Sequence, residues 1–567
     1  ANSEFERALF TKLRVDEAQA HILDYALRGL SEVEKKVLNT IAAFRMPASY
    51  DTLAALLVEG PAPVVEPDPD EDEEVAEPST SPPSKAFDTE NDLDNVLTTL
   101  EDRGLVGWDR RTNRYDLHPI TRGVTWNALD SNAKYDVYTT LETHFQAMPT
   151  VNQNDVNSLD DLTGAIELYH TLIGLGRYED AFVVFRNRLS DVTLYRLSAS
   201  RQRLELLTVL FPDGEDTLPR LSRPGAQAYT LNTLALAYDI SGQPGRAAQF
   251  YRRNVALREQ EPGGNFSVGL CNLADALRLS GSLCASEAAA RRALGITRDQ
   301  HNEFQEAVSL QFIGLARAAR GADGMTGLRR SLRVWIARSD QQGEGLLNVF
   351  LGGVLLGRGE DAAARQYADR AWKLAAHERN ERDFIIAAGR QGQAALGLGD
   401  LATADERLHH ALTRARAVNF VEEEIPALIS LAELSRWRGD PALAREHLDG
   451  VWELAERGPY PLLHADALNV LAQIERDAGN QQAAIDAATK AYTLAWCDGI
   501  SVDGKECFAY WWGVQAAKAH LDALGAPTPT LPPFDPANFE PMPEVEIDPQ
   551  DEYNTEGWVP YADEEES

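Results

Sequence analysis

Apolar residues recur at helical spacing along most of the chain, and from about residue 225 the pattern repeats itself. Its marker is a glycine that closes each amphipathic segment: Gly242, Gly281, Gly321, Gly359, Gly399, Gly439 and Gly479, at intervals of 39, 40, 38, 40, 40 and 40 residues. Seven residues before these stand Ala235, Ala274, Gly314, Gly352, Gly392, Ala432 and Ala472, all small. Five residues after them stand Ala247, Ser286, Thr326, Ala364, Ala404, Ala444 and Ala484, again small. An aliphatic column adjoins the first set, Leu234, Leu273, Ile313, Leu351, Leu431 and Leu471, interrupted once by Gln391. Small side chains in register on two helices let the axes approach closely, and glycine accepts the left-handed backbone that ends the first helix. A single pair cannot cover its own apolar face. Seven pairs over 225–525 are therefore expected to stack into a solenoid, closed by a capping helix in "CFAYWWGVQAAKAHLDALG".

These columns resemble the tetratricopeptide repeat, lengthened from about 34 to about 40 residues. A weaker pair, "AIELYHTLIGLGRYEDAFVVF", precedes the array, with Gly176 and Ala181 in matching places but Tyr169 at the small-residue position. The stretch 149–224 is accordingly read as a helical linker containing a partial repeat. Residues 1–148 follow another plan. "LSEVEKKVLNTIAAF" predicts a helix from about Glu32 to Phe44 behind Ser31 as N-cap, and "SYDTLAALL" a short second one. "DLDNVLTTLEDRGLVGW" predicts a third helix ending near Gly104, and "LVGWDRRTNRYDLHP" two short strands around Thr112 and Asn113. Three helices followed by a hairpin make a winged helix. The fold class is thus mainly all-α: an α-solenoid of tetratricopeptide-like pairs preceded by a small winged-helix domain.

The formal net charge of −34 looks like a statement about partners until it is apportioned. Residues 66–77 hold 8 acidic groups and residues 526–567 hold 12, with no basic group in either, so 20 of the 34 reside in two Pro-rich segments. The insertion, 59–88, is expected to be disordered and the tail, 526–567, mobile, because neither has the aliphatic surface to offset ordering. The remaining acidity disfavours nucleic acid and anionic membranes. The third N-terminal helix, with five acidic groups and one basic between Glu90 and Arg103, does not suit a DNA groove, and Arg110, Arg111 and Arg114 read as a solvated turn. No run of about 18 apolar residues occurs, and no signal peptide opens the chain. Cys271, Cys284, Cys497 and Cys507 lack metal-ligand spacing, so reduced thiols and a cytoplasmic location are expected. The chain begins at Ala1 rather than Met, as a fragment or processed product would.

Catalytic constellations are scarce. Gly499, Gly504 and Lys505 have the spacing of a phosphate loop, but they link two predicted helices, and Glu506 stands where a hydroxyl should meet magnesium. They are read as a turn. His409 and His410 are adjacent and point apart; Cys507 and His520, placed on one helix, lie about 20 Å apart. No metal site and no catalytic set is expected.

One resemblance covers nearly the whole chain except the insertion and tail. A winged helix whose last strand runs into "YDLHPITRGVTWNAL", followed by "LYHTLIGLGRYEDAFVVFRNRLSD", "LLTVLFPDG" and a repeat array closing on "LAWCDG", resembles the C-terminal half of bacterial signal-transduction ATPases with numerous domains (STAND, the NB-ARC or AP-ATPase group related to immune receptors). Leu117-His118-Pro119 looks like that family's Met-His-Asp motif, with Pro119 in place of the Asp. The resemblance implies that His118 contacts the diphosphate of ADP in the intact protein and holds a resting state. It also implies an upstream nucleotide-binding domain, oligomerisation on activation, and a role in defence or stress signalling, antiviral defence included. No Walker A or Walker B motif occurs here, so no cofactor and no ATP hydrolysis are expected of this chain by itself. By its residues alone, His118 reads as an ordinary half-buried histidine.

In tetratricopeptide geometry the first helix of each pair lines the concave face, at positions 13, 10, 6 and 3 before the marker glycine. These give Asn232, Asp239, Asp275, Arg278, Gln311, Gln393, Glu433, Arg436, Asp466, Asn469, Gln473 and Arg476, with Leu346, Val349 and Leu356 in the middle. Polar ends around an apolar centre fit a protein or peptide ligand. The alternative is a free-standing scaffold for protein assembly, without nucleotide control.

Overall fold

The computed structural model describes residues 27, 29–59, 85–260, 266–458 and 460–561. Apart from Glu59 and residues 85–88, the acidic insertion expected at 59–88 lies outside them. The chain divides into two compact units, residues 1–189 and 190–567.

In the first unit, α1 (Glu32–Ala43) starts at a capping box: the Ser31 side chain accepts from the Glu34 backbone and the Glu34 carboxylate accepts from the Ser31 N–H. Next come β1 (Ala48–Ser49), α2 (Tyr50–Leu57), α3 (Glu90–Asp102), β2 (Gly107–Asp109) and β3 (Arg114–Asp116). The strands form an antiparallel sheet in the order β1-β3-β2, which is winged-helix topology. At the base of the insertion, the Glu59 N–H donates to the Phe87 carbonyl at 2.8 Å, and the Phe87 N–H to that of Leu57 at 3.0 Å. The helices α4 (Pro119–Asn127), α5 (Ser131–Ala147), α6 (Thr163–Gly174) and α7 (Tyr178–Val184) complete the unit. Arg122 on α4 donates to the carbonyls of Ile41, Ala42 and Phe44 and pairs with Asp116, answering the orphan acceptors at the end of α1. Glu167 on α6 is buried and accepts the backbone N–H groups of Arg45 and Met46; burial still pushes its carboxyl up to about 7.

After α8 (Ser200–Thr208), the second unit is built of seven helix pairs. They are α9 (Pro224–Ile240) with α10 (Pro244–Arg258), α11 (Phe266–Leu279) with α12 (Leu283–Asp299), α13 (Glu303–Ala319) with α14 (Met325–Ala337), and α15 (Gln341–Gly357) with α16 (Asp361–Glu378). Then follow α17 (Glu381–Gly397) with α18 (Leu401–Val418), α19 (Val421–Trp437) with α20 (Pro441–Arg457), α21 (Pro461–Asp477) with α22 (Gln481–Ala495), and the capping helix α23 (Trp511–Ala523). Every marker glycine has a positive φ, between 74° and 91°. The small columns meet where expected: the Ser286 hydroxyl donates to the Ala274 carbonyl at 2.6 Å, and Ala432 and Ala444 are fully buried in one core cluster. The third pair departs by one residue. There the close approach falls on Gly327, whose added Cβ would lie 3.0 Å from the Leu310 carbonyl, while Thr326 turns outward to bond Asp323.

Successive turns of the solenoid touch with an offset of five pairs. An added Cβ on Gly242 would lie 2.7 Å from Val421, on Gly281 2.8 Å from Pro461, and on Gly321 2.5 Å from Trp511. The marker glycines of the first three pairs therefore receive the first residues of α19, α21 and α23, whereas those of the last four face open space.

The tail is ordered, contrary to the mobility its composition implies. Through residue 561 it lies along the second unit: Phe534 is buried against Phe508, Leu283 and Leu462, Val545 and Ile547 pack on the α11–α13 core, and Tyr553 and Trp558 on that of α14–α16. These apolar and aromatic anchors, spread between acidic and proline residues, supply burial that an average over the segment conceals.

Candidate functional site

The first helices face the solenoid interior, and there the predicted groove residues separate into two groups. Asp239, Asp275 and Arg278 come together, and with them Arg382, Asp383, Glu422 and Glu423 from the starts of α17 and α19. Asp275 accepts a two-pronged pair from Arg278, at 2.6 and 3.0 Å. Glu423 meets Arg390 at 3.3 Å. Asp239 is only 4% exposed, and its Oδ1 has no hydrogen-bond partner. Burial raises its carboxyl well above the usual range, and the neighbouring carboxylates of Glu422 and Asp275 raise it further. Burial likewise pushes Glu422 up to about 7 and Asp383 to about 6. Tyr460 closes the region by donating its hydroxyl to the Asp239 carbonyl across the seam, at 3.3 Å. Carboxylates outnumber guanidiniums in this enclosure, which favours their protonated forms and disfavours an anionic occupant.

Arg382, Glu422 and Glu423 escaped the sequence reading because it began 13 residues before each marker. Arg382 and Glu422 lie 17 before theirs, one helical turn further on the same face. A charged residue there at two successive repeats was the available signal.

The second group lies at the C-terminal pairs and is more open. Glu433 and Arg436 pair at 2.6 Å, Arg436 reaches Asp477 at 2.7 Å, and the Trp437 indole, 44% exposed, donates to Glu433 at 2.6 Å. Gln473 is half-buried and Arg476 is exposed. Trp437 stands on a first helix at the surface, whereas Trp335 packs on Phe304 within its own pair and Trp372 on Phe384 of the next. The remaining groove residues are engaged internally: Asn232 accepts from Asn272 at 3.0 Å, Gln393 bonds Arg390 and Ser430, Asp466 accepts from Tyr510 at 2.9 Å, Asn469 donates to the Gly513 carbonyl at 3.2 Å, and Gln311 is buried. Among the central apolar positions, Val349 is buried in the core shared with α17.

His118 is exposed and is the N-cap of α4, with Pro119 in the first turn. Its Nδ1 accepts from the Ile120 N–H at 3.3 Å, which requires the Nε2–H tautomer and leaves that N–H as a donor. The Gly499–Lys505 segment is an exposed turn between α22 and α23, pinned by an Ile500–Cys507 bridge, with Lys505 paired to Asp503 at 3.1 Å. Cys507 therefore precedes the capping helix and does not lie on it. The four cysteines are unpaired. Among the described residues no cluster of metal-ligating side chains occurs, and no helix is long and apolar enough to cross a membrane.

The architecture defines a tetratricopeptide-like α-solenoid preceded by a winged helix. No family model matches the chain, and no curated protein matches it. Among solved structures it is similar to a signal transduction ATPase with numerous domains carrying a tetratricopeptide repeat sensor, from Pyrococcus horikoshii, at 14% identity over 84% of this chain and a TM-score of 0.39. The match spans 64% of that protein's length. It is also similar to aspartyl phosphate phosphatase F from Bacillus subtilis (11% identity, 65% of this chain and 89% of that one, TM-score 0.36). A third is the Rap conjugation gene regulator of plasmid pLS20, solved in complex with the Phr* peptide (14% identity, 59% and 88%, TM-score 0.37).

Proposed function

We propose that this chain is the ligand-sensing, regulatory part of a STAND-type signalling ATPase, with a protein or peptide as its ligand. The observation that carries the protein-binding part is the open surface at the C-terminal pairs, where an exposed tryptophan and Arg436 share Glu433 and Arg476 is exposed on the next first helix. Aromatic and arginine side chains beside fixed polar groups are what protein interfaces use as anchors. The finer part rests on His118, whose imidazole N–H at an exposed helix start has the chemistry to meet a diphosphate oxygen supplied by an upstream domain. Hydrolysis then belongs to that domain, and this chain contributes recognition and restraint.

The test places a photo-cross-linking residue at Trp437 of the intact protein in its native host. Capture of a protein or peptide species that disappears in the Arg436→Glu, Arg476→Glu double variant, with circular dichroism unchanged, is the expected result. Capture that persists in the double variant moves the ligand elsewhere. For the nucleotide role, His118→Ala in the intact protein should lower the ADP retained through purification; unchanged retention rejects that role.

A further inference from the structure

The ordered tail lies on a surface that the repeat itself builds. Arg291, Arg330 and Arg370 stand 10, 9 and 11 residues after their marker glycines, so α12, α14 and α16 each contribute a guanidinium from the same stretch of three successive second helices. Each meets a different part of the tail. Arg291 donates to the Pro543 carbonyl at 3.3 Å, and Arg298, two turns further on α12, to that of Glu546. Arg330, its side chain 3% exposed, pairs with Asp548 at 3.3 Å and with Asp551. Arg333 donates to the Asn554 carbonyl and lies 5.7 Å from the Trp558 ring centre. Arg370 lies 5.0 Å from the ring centre of Tyr561, whose hydroxyl accepts from Asn348 at 2.7 Å and donates to Glu344 at 3.1 Å.

The fit is incomplete in the middle of this track. A cavity of about 530 Å³ remains beneath the tail between Glu546 and Tyr553, bordered by Arg298, His301, Glu306 and Arg330. Arg298 and Arg330, which border it, each keep one buried guanidinium nitrogen, Nη2 and Nε, without a hydrogen-bond partner.

We propose that the track along α12, α14 and α16 is a binding site for an extended acidic peptide of another protein bearing aromatic side chains, and that tail residues 543–561 are its tethered stand-in. Tethering gives the tail an effective concentration of about millimolar, so a free peptide competes poorly until the tail is loosened. The proposal rests on reading the solenoid as a protein-binding scaffold, yet the two fail separately: the Trp437 surface is not part of this track.

The probe is a fluorescent synthetic peptide of residues 543–561, titrated by anisotropy into the full chain and into a Trp558→Ala, Tyr561→Ala variant of it. The variant should bind at least about ten-fold more tightly than the native chain, and adding Arg298→Glu should remove that binding with helicity retained. Equal binding to both chains, or binding to neither while the variant's circular dichroism matches the native, overturns the proposal. So does dimerisation of the variant on size exclusion, which would assign the track to the tail of a second copy.

Discussion

At the scale of single residues, one glycine column does two jobs that substitution can separate. Gly439 and Gly281 both adopt positive φ, 78° and 82°, but only Gly281 also receives a neighbour, Pro461 of the next turn. Gly439→Ala should cost the left-handed strain alone, about 1–2 kcal/mol. Gly281→Ala adds a contact at 2.8 Å with a rigid proline ring, and its loss should be measurably greater. Urea midpoints for the two variants check this, and equal shifts would remove the inter-turn contact from the account. Ala444→Leu tests the other contact, within a pair. Ala444 is fully buried in the cluster that holds Leu428 and Ala432, so four-carbon bulk should overpack it by about 1–3 kcal/mol. A neutral result would mean that the small-residue columns do not mark the helix crossings.

At the scale of elements, the helix pairs were legible because their signals are local. The N-cap at Ser31, the glycine turns and the small-residue crossings each act within about 40 residues, and they stand as the sequence implies except at the third pair, where Gly327 replaces Thr326 at the crossing. The seam between turns was not legible. It joins Gly242 to Val421 and Gly321 to Trp511, and its offset depends on small rotations accumulated over five pairs. The groove inherited that blindness: the enclosure of Asp239 and Asp275 by α17 and α19 follows from the seam. The tail was misread for a different reason, since its anchors, Phe534, Val545, Ile547 and Trp558, are too sparse to form any period. The capping helix offers an element-scale test. Its Trp512 indole donates to the Ala318 carbonyl at 3.0 Å, at the end of α13. Trp512→Phe removes that bond while Ala318 keeps the Gly321 N–H at 3.1 Å, and should cost about 0.5–1.5 kcal/mol, seen as a lower melting temperature of the whole solenoid. An unchanged melting temperature would show that α23 rides on the array without bracing it.

At the scale of the whole second unit, the enclosed carboxylates couple closure to pH. A carboxyl whose pKa is raised by folding holds its proton in the folded state and releases it on unfolding, so stability declines as pH rises between the two values. For Glu422 that window runs from about 4.5 to about 7, and Asp239, Asp383 and Glu423 shift in the same direction. Half-buried His410 and His447 and buried His520 oppose it, because their lowered pKa values make the folded state gain as pH rises through the ordinary histidine value of 6.5. A native melting curve against pH mixes the two, but a difference between native and Glu422→Gln cancels the histidines. The variant should melt several degrees above the native chain at pH 8, where Glu422 is charged inside the enclosure. That advantage should shrink steeply by pH 5 and vanish below about pH 4, where Glu422 is protonated in the folded and the unfolded chain alike. Parallel curves would mean that the interior is wet enough to solvate Glu422, and closure of the seam would then carry no electrostatic penalty for a ligand to relieve.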